Sequence, residues 1–508
     1  MRLLDDDTAE EPQDQRGLPA TELMRIIRAG HRHVNLSSFV PCDWAREDSI
    51  PLRGPYAQPA SPMGALSPPP PNVLFLTCHD LGHHLGCYGQ PSVDSPALDG
   101  LAAAGVRFAR SFATAPQCSP SRASLHTGRY PHSAGMLGLA HHPFGWRLGP
   151  DEQHLAQRLR DRGYATALVG RQHLTAHERA AELGYGTTAP VRPAGEEAAA
   201  AGALLRQLGS GTSPFYLEVG FEEPHRPYDF GGAEPDTSRG VAVPGYLPDS
   251  QEARTDLAAL QGAIRVMDSG VGRILHALAQ LGLDETTWVV FATDHGVAMP
   301  RAKGTLYDPG IEAALIMRWP AGDIGVGRTC PELISNVDVV PTMLEGMGFG
   351  VPTEIQGRGA WPWLRGEPHQ PRAEIFAEKT FHTYYEPMRC IRTDSHKLIA
   401  NLEVSTAVDV PADVRSSPIY PLMLRQFGGV RPYLELYDLA ADPWEQHNLV
   451  DEPLLAELRG ELAGRLVSWM RATGDPILDG PVPSPYYADA LARLVTSPTA
   501  PADEPAGS

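Results

Sequence analysis

The chain has 508 residues, of which 61 are acidic and 42 basic, giving a net charge of −19; this balance excludes a general binder of nucleic acid or of anionic membrane, whose phosphates it would repel. Apolar residues make up 42% and charged residues 20%, an ordinary globular composition long enough for one large domain and a smaller one. The six cysteines (Cys42, Cys78, Cys87, Cys118, Cys330, Cys390) are too scattered for a disulfide framework, and no apolar run approaches a membrane span, so a soluble, cytoplasmic protein with reduced thiols is the expectation.

Residues 1–70 are rich in charge, Pro and Gly and run into the prolines at 68–71; they read as a partly disordered N-terminal extension. Beyond them strands and helices alternate. NVLFLT (72–77) is a continuous apolar run of buried-strand type, and SPALDGLAAAGVRF (95–108) is a helix leading into a strand. DEQHLAQRLRDRG (151–163) reads as an amphipathic helix, and YATALVG (164–170), PFYLEVGF (214–221), TWVVFATD (287–294) and AALIMRWP (313–320) as strands. Between Glu252 and Gly282, Leu257, Leu260, Ile264, Met267, Val271 and Ile274 recur at helical spacing. The alternation predicts an α/β domain over 71–370, a large, mostly parallel sheet flanked by helices on both faces. From about residue 372 come shorter strands, AEIFAEKT, MRCIRTDSHKLIANL and YLELYDL, then a helix over Glu452–Met470. They predict a smaller C-terminal α+β domain over 371–486, followed by a disordered tail over 487–508.

Polar residues gather where these strands end. NVLFLT runs into Cys78-His79-Asp80, TALVG into Arg171-Gln172-His173, YLEVGF into Glu222-Glu223-Pro224-His225, and VVFAT into Asp294-His295-Gly296. Ligands of open α/β sheets bind beyond the carboxyl ends of the strands. One Asp after a strand is an ordinary turn residue; four such endings predict one shared pocket. His79, Asp80, Asp294 and His295 are suited to a divalent cation. Arg122, Arg171 and Lys303 offer positive charge without an acidic run nearby, as an anionic group requires. His173 and His225 are candidates for general acid and charge stabilisation.

One more element points to the same place. In CSPSRASLHTG (118–128), Ser119 is a candidate N-cap before Pro120, and Gly128 a candidate C-cap. Cys118 is then a cysteine at a helix N-terminus with Arg122 beside it, a setting for an anion and a reactive side chain.

The segment Cys118-Ser-Pro-Ser-Arg122, with Leu125 and Thr127-Gly128-Arg129, resembles the signature of the formylglycine-dependent sulfatases of the alkaline phosphatase superfamily. PNVLFLTCHDLG, GRQHL, EPHRP, TDHG and ELYDLAADPWEQHNL follow in that family's order. CSPSRASLHTG, MLGLAHH, GTLYDPGIEAALI and EPMRCIRTDSHKLIANLE are most similar to the heparan N-sulfatase (N-sulfoglucosamine sulfohydrolase) branch. The resemblance implies an alkaline-phosphatase-like fold and the hydrolysis of a sulfate ester or N-sulfate of a small sulfated sugar or metabolite. It implies that Cys118 is oxidised to formylglycine, whose hydrate attacks sulfur with one hydroxyl and expels sulfate with the other. Cys118, Arg122, Arg171, His173, His225 and Lys303 become the catalytic set, and His382 and Arg389 are expected to bind substrate. One divalent metal is implied, held by His79, Asp80, Cys118, Asp294 and His295.

The departures bear on that metal. An acidic pair is usual where His79-Asp80 stands and an Asn where His295 stands, so two nitrogens join two carboxylates. Calcium is the metal of the family, and manganese or another transition ion is the runner-up. Lysine is usual at Arg171, and His is frequent at Glu222. The expected partners are a small sulfated substrate and the enzyme that generates formylglycine; no nucleic acid and no membrane are expected, and a homodimer is compatible with the sequence. The alternatives are a phosphonate or phosphate monoester hydrolase of the same superfamily, and a catalytically silent binder of sulfated ligands if Cys118 stays unmodified.

Overall fold

The computed structural model describes residues 70–404 and 407–496. The extension expected over 1–70 lies, Pro70 apart, outside them, as does the chain beyond Thr496.

The large sheet has the strand order β4-β3-β5-β1-β6-β7-β2-β8. Its strands are β1 (Asn72–Cys78), β2 (Val106–Phe112), β3 (Ala165–Gly170), β4 (Thr187–Ala189), β5 (Phe215–Gly220), β6 (Thr287–Thr293), β7 (Leu315–Arg318) and β8 (Arg328–Ser335). Every ladder is parallel except the two made by β7. The mostly parallel sheet is therefore as expected; β4 and β8 are additions that the periodicity did not indicate.

Alternation within buried strands builds a core on each face. Leu74 and Leu76 of β1, Leu217 of β5 and Phe291 of β6 pack on one side with Leu257, Leu260, Ile264, Met267, Val271 and Ile274 of the long helix Gln251–Gln280. Val73, Phe75, Tyr216 and Val290 pack on the other with Ala123 and Leu125 of the helix Cys118–Thr127.

The second sheet is antiparallel, in the order β12-β11-β10-β9: β9 (Glu374–Phe381), β10 (Tyr385–Thr393), β11 (His396–Asn401) and β12 (Leu434–Asp438). Leu462, Leu466 and Trp469 of the helix Ala456–Thr473 cover it, against Phe376, Ile391, Leu398 and Leu436.

Two local expectations change. The helix read over 151–163 covers only Leu155–Arg160, because His154 caps it with Nδ1 on the Ala156 N–H. The start of the expected disordered tail belongs to a helix, Pro485–Thr496, on which Tyr486, Tyr487, Leu491, Leu494 and Val495 are exposed. Among the described residues, no helix is long and apolar enough to cross a membrane.

Candidate active site

Neighbouring strands β3, β5, β1 and β6 deliver their carboxyl ends side by side, with Thr77 of β1 in register with Gly220 of β5, and Cys78 with Thr293 of β6. Two non-glycine residues just past these ends hold left-handed backbone, Asp80 (φ 50°) and His173 (φ 59°). Such conformations cost free energy and persist where surrounding contacts impose them, often at functional sites. The Asp80 N–H donates to Asp294 Oδ1 (3.0 Å), tying the first strand end to the fourth.

Cys118 opens its helix facing these ends, and Gly128 closes it in the left-handed region (φ 74°) as expected. The N-cap is Gln117, without a side-chain capping bond, rather than Ser119. Ser119 has another role: its hydroxyl donates to the His173 carbonyl (2.7 Å) and accepts from the Ala140 N–H (3.0 Å). Cys118 Sγ lies 3.3 Å from His295 Nε2 and 3.9 Å from Asp80 Oδ1. Burial pushes the thiol well above its ordinary pKa, although Lys303 works the other way.

The metal candidates converge. Ligand-type atoms of His79, Asp80, Cys118 and Asp294 all lie within 4.8 Å of one another. His295 Nε2 joins them, 3.2 Å from Asp80 Oδ1. Its Nδ1 donates to the Gly296 carbonyl (3.0 Å), which leaves the Nε2 lone pair facing the centre. Both nitrogens of the buried His79 lack a hydrogen-bond partner. Burial, with Arg122 next, holds this imidazole well below its usual pKa and hence neutral. A neutral, unpartnered imidazole among carboxylates fits a bound cation.

The buried group His126, His154 and Glu218 shows the contrast. His154 Nδ1 accepts from the Ala156 N–H (3.0 Å), so in its neutral form the hydrogen sits on Nε2 and no lone pair remains for an ion.

The three cations are present, but none is free of carboxylate. Arg122 is buried and donates from Nε to Asp294 Oδ2 (3.1 Å) and from Nη2 to the Cys78 carbonyl (2.9 Å). Lys303 Nζ sits 2.6 Å from both Asp80 Oδ2 and Asp413 Oδ2. Burial opposes its charge, and the two carboxylates outweigh burial, holding its pKa well above the usual value. Arg171 donates to Glu222 Oε2 (2.7 Å). The two unusual residues at the second and third strand ends are thus each other's partners.

His225 donates from Nδ1 to the Arg226 carbonyl (2.5 Å), and its Nε2 lies 3.4 Å from Lys303 Nζ. His173 Nε2 meets His141 Nδ1 at 3.1 Å. Burial, then Arg122 and Arg171, keeps the His173 imidazole well below its usual pKa. Its ring centroid and that of His225 are each 5.5 Å from that of His79.

The two expected substrate residues separate. His382, in the β9–β10 turn, is close enough to be influenced by Lys379, Lys303, Asp413 and His295; burial chiefly, with the two lysines, lowers its pKa strongly. Arg389 is not at the pocket. It is buried in β10, paired with Asp475 through Nε (2.6 Å) and Nη2 (2.9 Å), and it donates to the Lys379 carbonyl. A guanidinium saturated by core partners has no donor left for substrate.

Sequence reasoning missed Asp413 and His141. Asp413 stands in a segment without strand or helix periodicity, and His141 in a Pro/Gly-rich loop, so only the fold brings them in.

Comparison with known proteins accords with this geometry. Residues 71–349 match the Sulfatase family profile, and residues 301–418 the profile for the C-terminal region of N-sulphoglucosamine sulphohydrolase. The N-sulphoglucosamine sulphohydrolase of Homo sapiens is 29% identical over 465 residues, covering 81% of this chain and 92% of that protein. Two solved structures share the fold. The Bacteroides fragilis protein yidJ, assigned as a sulfatase, has a TM-score of 0.66 at 21% identity, over 83% of this chain and 100% of its own. The phosphonate monoester hydrolase of Agrobacterium radiobacter has 0.62 at 22%, over 79% and 96%. With more than half of its length matching the profile and its strand ends arranged around Cys118, the chain belongs to the sulfatase family of sulfuric ester hydrolases.

Proposed function

We propose that the protein hydrolyses a sulfate ester or N-sulfate of a small sulfated sugar or similar metabolite, with Cys118 as the precursor of formylglycine. The observation that supports this most is the position of Cys118 Sγ, 3.3 Å from His295 Nε2 in the ring of donors formed by His79, Asp80 and Asp294. As a thiol this side chain is a poor nucleophile, because burial keeps it protonated. Conversion by a formylglycine-generating partner would remove that difficulty.

His79, Asp80, Asp294 and His295 would hold one divalent ion, calcium by family or manganese by donor set. The ion supplies Lewis acidity that favours ionisation of a hydroxyl at position 118. Arg122 keeps Asp294 oriented, and Lys303 does the same for Asp80 while presenting an ammonium to sulfate. Arg171, less occupied than Arg122, meets a sulfate oxygen from the open side. His225 stands where its Nε2 can carry a proton to the departing oxygen or nitrogen, its Nδ1 being fixed by the Arg226 carbonyl. The neutral His173, with Nδ1 unpartnered, offers a hydrogen-bonding nitrogen toward the sulfuryl group. His382 contributes to the substrate side of the pocket.

The test is sulfate release from N-sulfoglucosamine and from 4-nitrophenyl sulfate, followed by ion chromatography. Release from either supports the proposal. Turnover of a phosphonate monoester alone moves the reading to that hydrolase class, and binding without turnover by a chain whose Cys118 is unmodified identifies a silent binder.

A further inference from the structure

Asp413 presents an electrostatic puzzle. It places a carboxylate beside a pocket built for an anion, and at contact distances near a protein surface like charges repel by roughly 1–4 kcal/mol. Its hydrogen-bond partner among the described residues is Lys303, whose charge is already matched by Asp80 at 2.6 Å, and His225 Nε2 stands farther off at 3.7 Å. Balancing Lys303 therefore does not by itself account for Asp413.

The segment carrying Asp413 is firmly docked. Val410 and Val414 are buried in the core of the large domain. The Asp409 carboxylate accepts from the Thr383 and Tyr384 N–H groups (2.9 and 3.1 Å). Pro411 presses on Gly304, where an added Cβ would come within 3.0 Å of its ring. The Ser417 hydroxyl donates to Asp256 (2.6 Å), which pairs with Arg226 next to His225. A side chain fixed from both ends can hold a substrate group in one place.

Oδ1 is the free part of that side chain. The close contacts of Asp413 with Lys303 and with His225 Nε2 at 3.7 Å both use Oδ2. Among the described residues Oδ1 has no hydrogen-bond donor, and the side chain stays 18% exposed beside a His225 that is 25% exposed. If His225 protonates the leaving atom, a donor on the adjacent carbon falls within reach of Oδ1.

We propose that Asp413 is a specificity-determining residue whose Oδ1 accepts a hydrogen bond from a hydroxyl or amine beside the sulfated atom. The substrate class is then sulfated polyols and sugars with a vicinal donor, and flat aryl sulfates are disfavoured. The assignment rests on the sulfatase reading above and names the substrate of that same site.

Steady-state kinetics on N-sulfoglucosamine and 4-nitrophenyl sulfate test it, using wild type, Asp413→Ala and Asp413→Asn. Both substrates lose rate in Asp413→Ala, since Lys303 loses a partner. The sugar should lose about 10- to 100-fold more in kcat/KM, the range for a lost charge-assisted hydrogen bond. Asp413→Asn, which keeps an acceptor, should fall between and serves if the Ala variant does not fold. Equal losses on the two substrates overturn the proposal and leave Asp413 as a partner of Lys303. Calorimetric titration of N-sulfoglucosamine and 4-nitrophenyl sulfate in a Cys118→Ala background separates this from the reaction class. Binding weakened by Asp413→Ala at least tenfold more for N-sulfoglucosamine than for 4-nitrophenyl sulfate sustains the assignment even if wild type turns over neither sulfate. Binding that is absent, unchanged or weakened equally for both rejects it.

Discussion

At Cys118 two effects oppose each other. A helix N-terminus and Lys303 favour a thiolate, and complete burial disfavours it; burial wins, so the unmodified thiol stays protonated. Intact mass should show the mature chain about 18 Da lighter than its sequence, the change on exchanging the thiol for an aldehyde. Cys118→Ala should abolish sulfate release with an unchanged melting temperature, and activity near wild type would refute the mechanism. Lys303→Ala should lower kcat by about 100- to 1,000-fold, the effect of removing one preorganised charge-assisted donor (about 2.7–4 kcal/mol of barrier). An unchanged kcat/KM on every sulfate would remove Lys303 from the reaction. For the metal, the unpartnered His79 is the informative residue. Elemental analysis should find about one divalent ion per wild-type chain and well under half of that in a His79→Ala, His295→Ala double variant. Equal content in both would leave Asp80 and Asp294 as the ligands and the histidines outside the shell.

At the scale of elements, short contacts between backbones position the strand ends. A Cβ on Gly296 would sit 1.8 Å from the Pro309 carbonyl oxygen, so the turn after β6 closes only around glycine. Gly296→Ala should cost about 1–3 kcal/mol, the usual penalty of overpacking, and displace His295. Chemical denaturation with metal analysis would show both losses together; loss of stability alone would separate the turn from the site. The helix Pro96–Ala104 is held from a distance: Asp268 of the long helix accepts from the Ala97 and Leu98 N–H groups, both at 2.9 Å. Burial raises the Asp268 pKa to about 6 from 3.8. The folded state thus binds this proton more tightly than the unfolded state, so the contribution is full below about pH 4 and lost as pH rises to about 6. Relative to Asp268→Asn, wild type should lose up to roughly 3 kcal/mol across that window. Denaturation midpoints that run parallel from pH 4 to 7 would show that Asp268 does not titrate there. These long-range caps are invisible to local reading, which is why Ser119 looked like a cap and is instead a tether between the Cys118 helix and the His173 loop.

For the whole molecule, the pattern of apolar runs determined the α/β class, the mostly parallel sheet and the four strand ends, because hydrophobic period and run length act locally and the four central strands β3, β5, β1 and β6 obey them. The motifs around Cys118 determined the family, and the sequence by itself marks His79, Asp80, Asp294, His295, Arg122, Lys303 and His225 as site candidates. Only the tertiary structure decided how charges pair. Arg171 and Glu222 are 51 residues apart, and Lys303 and Asp413 are 110 apart; each pair neutralises charges that look free in the sequence. Arg389 shows the reverse. Its motif suggested the pocket, yet Asp475, 86 residues away, holds it in the core of the second sheet. A buried ion must find its counter-ion somewhere in space, and sequence order does not say where. Composition and periodicity fix which residues are buried or brought to a strand end, whereas the partner each charge meets there is settled by packing between segments distant in the chain.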